Sequence, residues 1–299
     1  MKALEVHRVD GEYPKQELVD RFRRHGVVVL KDYLPSQSRA RLRALVEQRL
    51  EAAHARDGVL TQPAFPSAEF LLGDILAVRE LEEVDYLFFR PDLLRAARAV
   101  LETGELLYWG DSSIQFGEAA RGFHKDNVER HDASHDDWKG DYGLVRCGFY
   151  FQDHVVHSGG LKVRLASHNI ANHLEGKAAD IATRFGDLVM WSMRLTHSGN
   201  NRKLRGLHGV PLHPRLEAAA PQWAVRPAQM RRISAFCAFA RPGSQADRYI
   251  ENMNRRDADY RPYFQRARNP EEAAGLMQRY GVAFVKPNDH YGELDPRHA

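Results

Sequence analysis

The sequence has few cysteines, no long apolar run and little net charge. Only 2 of its 299 residues are cysteines. Cys147 and Cys237 both lie in apolar runs, which is typical of buried free thiols in a reducing compartment. No apolar stretch approaches the roughly 20 residues that span a bilayer, and the N-terminal residues lack the apolar segment of a signal peptide. We therefore expect a cytoplasmic protein without membrane segments.

The formal net charge of +3 does not indicate nucleic-acid binding, because the basic residues are scattered along the chain. Hydrophobic residues make up 43% and charged residues 28% of the chain, which is the balance of an ordinary globular protein. A chain of this length can bury one sizeable core. The partner that we expect is a small-molecule substrate, and the sequence leaves the oligomeric state open.

Helical patterns come first and strand patterns follow. Apolar residues recur at helical spacing over 15–24, 36–54 and 76–103, the last interrupted by Pro91, and a short buried strand is predicted at 27–30. From about residue 107, short β-rich runs alternate with turn residues, which is typical of an antiparallel barrel or sandwich. We predict a mainly β protein with flanking helices and a double-stranded β-helix core, the cupin-like jelly roll.

A single domain over 1–299 is expected, because no linker separates the helical part from the strands. Its helical N-terminal part covers about 1–105, its jelly-roll core about 106–242, and a C-terminal extension 243–299. A proline-rich segment at 211–228 is predicted to be an inserted loop. The extension is predicted to be helical at first and irregular later. His154, in a connecting loop, is expected to face solvent.

Two potential metal ligands lie two residues apart in FHKDN, at 123–127. On an extended strand residues i and i+2 point to the same side, so His124 and Asp126 can bind one ion from adjacent corners. A second pair of this kind, His135 and Asp137, falls in a polar stretch that is predicted to be a solvated loop. We favour the first pair because it follows a strand-like run.

A third ligand is suggested at the end of RFGDLVMWSMRLTHSGN, at 184–200. His197 follows its apolar run, and a histidine at the end of a buried strand can face a cavity. Two histidines and one carboxylate on one face of an ion favour Fe(II) and leave positions open for other ligands. Taken alone, His197 is equally compatible with a surface histidine at a strand end.

Together these segments resemble the phytanoyl-CoA dioxygenase (PhyH)-like family of Fe(II)/2-oxoglutarate-dependent oxygenases. The resemblance covers roughly residues 15–250 and includes, in the family's order, GVVVLKDYLP, FHKD, YFQD with GGLKV and SH, and GDLVMWSMRLTHSGN. One departure is that Arg164, Leu165 and Ala166 replace an apolar-Pro-Gly turn. The resemblance implies that Fe(II) is bound by the three ligands described above. It also implies that 2-oxoglutarate and O2 are consumed and that a C–H bond of a small molecule is hydroxylated, with release of succinate and CO2.

The resemblance further implies an arginine for the distal carboxylate of 2-oxoglutarate, on the strand after the distal histidine and often in an Arg-x-Ser sequence. Arginine offers a planar fork that fits a buried carboxylate. Arg232 with Ser234 heads the strand-like RISAFCAF and is preferred, and Arg205, closer to His197 in sequence, is the second candidate. Gln115, on the strand before the metal pair, either hydrogen-bonds 2-oxoglutarate or the substrate, or lines the barrel.

Two other classes of function remain compatible with the sequence. A catalytically silent jelly-roll binding protein would keep the fold without needing Arg232 and Ser234. A zinc hydrolase would use the same His-Asp-His set, although no general base stands at helical spacing beside the ligands. The substrate is left open among acyl-CoA thioesters, amino acids, phosphonates and natural products. Desaturation and cyclisation also stay open, because they begin with the same hydrogen abstraction as hydroxylation.

Overall fold

The computed structural model describes residues 2–57, 68–73, 87–117, 122–207, 210–253 and 270–285. Its first helix, α1 (Lys15–His25), follows Pro14 and ends at Gly26. Gly26 has a left-handed φ of 72°, and its N–H donates to the carbonyl of Phe22 at 2.7 Å. A Cβ at this position would lie 2.4 Å from Nδ1 of His168. Both the backbone angle and the available space therefore require glycine here.

Further helices lie between the earlier strands in sequence and between the later ones. They are α2 (Ser36–Asp57), α3 (Pro91–Leu101), α4 (Pro214–Ala219), α5 (244–253) and α6 (Pro270–Arg279). Pro91 occupies the first turn of α3, where its missing N–H costs nothing. Residues 87–89 are also helical, and the rest of the predicted stretch, 76–86, lies outside the described residues. Among the described helices, none combines the length and the apolar character that crossing a membrane requires.

Two sheets form the core. The strands are β1 (Glu5–Val6), β2 (Val27–Leu30), β3 (Ala68–Gly73), β4 (Leu106–Tyr108), β5 (Ser112–Gly117), β6 (Leu144–Tyr150), β7 (Gly160–Leu165), β8 (Lys177–Ile181), β9 (Leu188–Ser192), β10 (His197–Asn201), β11 (Ile233–Ala240) and β12 (Val282–Phe284). In the described ranges the major sheet has the order β1-β2-β9-β6-β11-β4-β12, with β5 beside β11 and β3 beside β5, and the minor sheet is β10-β7-β8. The β1–β2 and β4–β12 pairs are parallel, whereas the other pairs are antiparallel.

Side-chain alternation along the major sheet gives it two buried faces. The outer face packs against the helices in one cluster, which includes Phe22, Leu93, Cys147, Phe149, Met190 and Phe239. The inner face packs against the minor sheet in a second cluster, which includes Val29, Tyr150, Leu161, Val163 and Trp191. The two cysteines are buried. The chain is thus mainly β with a jelly-roll core and flanking helices, as predicted.

The segment between β10 and β11 is fastened to the outer side of the minor sheet. Leu161 and Val163 face inward, so Lys162 between them points outward, beneath α4. Lys162 is fully buried, and its Nζ donates to the Glu217 carboxylate and to the carbonyl of Leu212. The predicted inserted loop at 211–228 therefore contains a helix and is held to the core by a buried ion pair.

The turn after β7 contains a strained alanine. Ala166 has φ 61° and ψ 4°, in the left-handed region, just before the short 3-10 helix Ser167–Asn169. This conformation costs an alanine about 1–2 kcal/mol, and glycine adopts it freely but loses about 0.5–1 kcal/mol more in chain entropy on folding. We expect Ala166→Gly to raise the free energy of unfolding by about 0.5–1 kcal/mol in urea denaturation. Ala179→Gly within β8 is the control and should lower the free energy of unfolding. A lower free energy of unfolding in Ala166→Gly would contradict the inferred strain at Ala166.

Candidate metal centre

The main chain brings the two histidines together. The N–H of His124 donates to the carbonyl of His197 at 3.0 Å, and the N–H of His197 donates to the carbonyl of His124 at 2.8 Å. The N–H groups of Asp126 and Asn127 both donate to the carbonyl of Met193, at 2.9 and 3.1 Å. The segment 124–127 therefore runs along the turn between β9 and β10, and two motifs that are far apart in sequence become backbone neighbours.

The three predicted ligands converge on one point. Nε2 of His124 lies 3.8 Å from Oδ1 of Asp126, and Nε2 of His197 lies 3.5 Å from Oδ2 of Asp126. One potential ligand atom from each residue lies within 4.8 Å of the other two. The side chains of His124, Asp126 and His197 are 21%, 15% and 7% exposed, so solvent reaches the set from the His124 side.

Hydrogen bonds to the main chain orient both imidazole rings. Nδ1 of His124 lies 2.9 Å from the carbonyl of Gly122, and Nδ1 of His197 lies 3.0 Å from the carbonyl of Leu195. A carbonyl only accepts, so in a neutral imidazole the proton sits on Nδ1 and the lone pair on Nε2. Both lone pairs are thereby available on the side where Asp126 lies, as in a metal site with an ordered outer shell.

Lys125, between two of the predicted ligands, points the opposite way into the protein. Its Nζ donates to the carbonyls of Ser167 and Arg194, both at 2.7 Å, and lies 5.2 Å from the centre of the Trp138 ring. Burial, with a smaller contribution from Arg194, lowers the pKa of Lys125 to about 7. The two carbonyl contacts tie the segment bearing His124 to the turn that precedes His197.

In the described part of the chain, the alternative pair, His135 and Asp137, is not brought together with a third potential ligand. Asp137 is fully buried, pairs with Arg248 at 3.0 Å and accepts a hydrogen bond from the N–H of Glu129. The prediction of a solvated loop is therefore wrong around Asp137. This stretch folds back into a short 3-10 helix because its charges find partners within the protein.

A second polar cluster lies on the inner face around Arg232. Nε of Arg232 donates to the carbonyl of Gly159 at 2.7 Å, and Nη1 donates to the carbonyl of Gly117 at 3.2 Å. Ser234 pairs with Tyr150 of β6 on one side and with Gln115 of β5 on the other, so all three share a face. The guanidinium carbon lies 5.9 Å from the centre of the Tyr150 ring.

Two hydroxyls in this cluster have unused hydrogen-bonding capacity. The hydroxyls of Tyr150 and Ser234 are buried and have no hydrogen-bond partner in the described part of the chain. Burial raises the pKa of the Tyr150 hydroxyl to about 12. An unsatisfied buried polar group costs about 1–3 kcal/mol, so two of them beside a buried cation indicate a place for a ligand that carries acceptor atoms.

The other predicted anchor, Arg205, lies elsewhere. Its side chain is exposed on the segment between β10 and β11, and its N–H donates to the carbonyl of Ala224 at 2.8 Å. The structure does not bring it to the inner face. Gln115, in contrast, is buried on β5 opposite Ser234, a place that suits either of its predicted roles.

His154 also belongs to the surroundings of Arg232, and its predicted exposure is wrong. It is fully buried, its Nδ1 lies 3.2 Å from Oγ1 of Thr183, and its ring packs edge-on against Tyr150 with centroids 5.0 Å apart. Burial and the nearby Arg232 hold the pKa of His154 well below its usual value, so the imidazole is neutral. Sequence reasoning also missed Tyr150, although YFQD continues the alternation of β6.

Aromatic rings connect the two clusters across the inner face. The ring of Trp191 lies 5.6 Å from that of His197 and 6.2 Å from that of Phe236, which in turn lies 6.1 Å from Tyr150. A Cβ on Gly148 would come within 2.8 Å of the Trp191 ring, so glycine is needed beneath it. A series of packed aromatic rings thus connects the predicted ligands with the Arg232 cluster.

No protein-family model matches the sequence, and neither does any curated protein. Solved structures do match. They include "the non-heme alpha ketoglutarate dependent epimerase SnoN from nogalamycin biosynthesis" (16% identity, TM-score 0.52, covering 75% of this chain and 81% of that one). A second is EctD from S. alaskensis, solved with 2-oxoglutarate and 5-hydroxyectoine (17% identity, TM-score 0.52, covering 80% of this chain and 80% of that one). The fold is that of the Fe(II)/2-oxoglutarate-dependent oxygenases.

A third match of this oxygenase fold is HygX from Streptomyces hygroscopicus, solved with nickel and 2-oxoglutarate bound (15% identity, TM-score 0.51, covering 75% of this chain and 86% of that one). At such identities the likeness establishes the fold alone, since one fold hosts many chemistries. The function must therefore be argued from the side chains of this chain.

Proposed function

We propose that the chain is a non-haem Fe(II)- and 2-oxoglutarate-dependent dioxygenase that hydroxylates an unactivated C–H bond of a small molecule. The observation that carries this proposal is the convergence of His124, Asp126 and His197 within 4.8 Å. Two imidazoles and one carboxylate suit Fe(II) and leave positions for a cosubstrate and O2. The fold that the chain shares with SnoN, HygX and EctD supports the same reading.

The cluster around Arg232 suits the distal carboxylate of 2-oxoglutarate. Arg232 supplies a buried cation, and the hydroxyls of Tyr150 and Ser234 are donors without a partner in the described chain. A buried carboxylate needs both a cation and hydrogen-bond donors. We propose Arg232 as the anchor in preference to Arg205, whose side chain is exposed.

When bound, Fe(II), 2-oxoglutarate and O2 supply an oxidative decarboxylation, with release of succinate and CO2, that drives oxidation of the substrate. The side chains of this chain position those groups and keep water away. His124, Asp126 and His197 would bind the metal, and Trp191 and Phe236 give the interior between the two clusters its apolar character. Hydroxylation is proposed as the outcome because it requires no further catalytic side chain.

The two alternatives have less support. A silent protein that binds no cosubstrate would have no use for a buried arginine beside two hydroxyls that lack a partner in the described chain. A zinc hydrolase would need a free general base near the ligands, and in the described part of the chain two candidate carboxylates, Asp111 and Asp137, are paired with Arg146 and Arg248. Both alternatives can be distinguished from the oxygenase by product analysis.

The test is formation of succinate from 2-oxoglutarate in air, with Fe(II) and ascorbate and without added substrate. We expect slow succinate release by the wild type, because the cosubstrate turns over at a low rate when no substrate is present. His197→Ala should abolish this release, whereas His131→Ala, which removes a histidine outside the ligand set, should not. A wild type that neither binds 2-oxoglutarate nor forms succinate would favour the silent binding protein.

A further inference from the structure

An arginine from the major sheet contacts the carboxylate among the proposed ligands. Arg146 lies in β6, opposite Trp191 of β9 and Ala238 of β11, and it shares the inner face with Tyr150. Its Nε lies 3.1 Å from Oδ2 of Asp126, an ion-pair contact without hydrogen-bond geometry. The side chains of Arg146 and Asp126 are only 16% and 15% exposed, so solvent screens this contact weakly.

The far end of the same guanidinium is fixed by two other elements. Nη2 of Arg146 donates to Oδ2 of Asp111 at 2.8 Å and to the hydroxyl of Tyr249 at 3.3 Å. The Tyr249 hydroxyl also donates to Oδ2 of Asp111 at 3.1 Å. Asp111 lies in the turn between β4 and β5, and Tyr249 lies in α5. The turn that bears Asp111, the helix α5 and the segment that bears Asp126 therefore set the orientation of the guanidinium.

The three charged side chains of this network, Arg146, Asp126 and Asp111, keep a net negative charge. Arg146 carries one positive charge between the two carboxylates of Asp126 and Asp111, so the three side chains together carry one negative charge, the same as a carboxylate alone. With Arg146 beside Asp126, the network therefore keeps a net negative charge, which favours a cation. The planar guanidinium of Arg146 is held at one end by Asp111 and Tyr249 and keeps the other end beside Asp126, which the single ammonium of a lysine would not reproduce.

We propose that Arg146 is a positioning residue that holds Oδ2 of Asp126, so that the carboxylate binds the metal through its other oxygen alone. This inference rests on the proposed function, because it assigns Asp126 to the metal. A carboxylate binding through both oxygens would occupy one more coordination position. Three protein atoms leave three positions of an octahedral ion open, two for the 2-oxo acid chelate and one for O2.

The test uses Co(II) as the probe, added to the metal-free full chain without cosubstrate. Its visible absorption reports the coordination number, and calorimetry gives the Kd. Arg146→Lys keeps the positive charge and removes the fork, and loss of an outer-shell partner typically lowers metal affinity about 10- to 100-fold. We expect a loss of this size together with a changed visible spectrum. Arg8→Lys is the matched control, because it makes the same change at an arginine that pairs with Asp92 of α3. This control should alter neither the Kd for Co(II) nor the visible spectrum.

Tyr249→Phe is a milder second variant, since it removes only one contact that fixes the fork. We expect a smaller loss of Co(II) affinity and a spectral change in the same direction, with circular dichroism showing a folded protein. Wild-type Kd and spectrum in a folded Arg146→Lys, or in Tyr249→Phe if Arg146→Lys does not fold, would overturn the inference. Failure of the proposed function gives a different result, in which Co(II) binding by the wild type is absent or survives His124→Ala.

Discussion

His124→Ala and Asp126→Ala should each abolish the weak visible band that we expect when Fe(II) and then 2-oxoglutarate are added to the wild type without oxygen. This band is a charge transfer from Fe(II) to the chelating 2-oxo acid, so it requires both groups on one ion. Loss of an outer-shell partner alone costs about 10- to 100-fold in metal affinity, and loss of a direct ligand should cost more. Anaerobic absorption titration measures the effect.

The matched control for these variants is Asp136→Ala. Asp136 is an exposed carboxylate beside the other histidine–aspartate pair, where it contacts Lys139 at 2.7 Å. This variant should keep the band at wild-type intensity. If the band persisted in His124→Ala and in Asp126→Ala, the iron would have to be bound elsewhere, and the proposed site would be wrong.

Arg232→Ala should weaken 2-oxoglutarate binding much more than Arg205→Ala. A hydrogen bond to a charged group is worth about 1.5–3 kcal/mol, which corresponds to roughly a 10- to 150-fold increase in Kd. Arg232 is 4% exposed and lies beside the unpartnered hydroxyls of Tyr150 and Ser234, whereas Arg205 is exposed. The 2-oxoglutarate Kd of the Fe(II)-loaded protein, measured from the same anaerobic band, provides the comparison.

Arg232 also donates to the carbonyls of Gly159 and Gly117, so its removal can loosen the fold. Arg232→Lys keeps the charge and offers a second measurement on a less disturbed protein. We expect it to bind 2-oxoglutarate more tightly than Arg232→Ala and less tightly than the wild type. A larger loss in Arg205→Ala than in either variant would move the anchor to Arg205.

Local sequence patterns are sufficient for the elements that carry their own signal. The helix predicted at 15–24 and the strand predicted at 27–30 are found at Lys15–His25 and Val27–Leu30, because apolar spacing and the turn at Gly26 mark them clearly. The strand Lys177–Ile181 was missed, since it is the half-exposed edge of the minor sheet and has little apolar alternation. The three-residue strand Val282–Phe284 was missed because its pairing with β4 is a distant contact.

The candidate site likewise contains some residues that the sequence predicts and others that it does not. His124 and Asp126 were predictable as a pair because two residues at i and i+2 on an extended segment share a side. Arg146 and His154 were not predictable, because their places depend on which side of β6 and of the residues after it turns inward and on how the later strands pair with β6. The buried environment of Asp137 also depends on Arg248, more than a hundred positions further on.

The reciprocal main-chain hydrogen bonds between His124 and His197 have an energetic consequence. Joining two points about 70 residues apart in a flexible chain costs roughly 4 kcal/mol of loop-closure entropy. The folding of the two sheets offsets this entropy loss without an ion, since the hydrogen bonds join main-chain amide and carbonyl groups. Little of the binding free energy of a cation is therefore needed to bring the two histidines together. Removal of the cation should leave the fold intact, unlike in zinc fingers, which unfold without their metal.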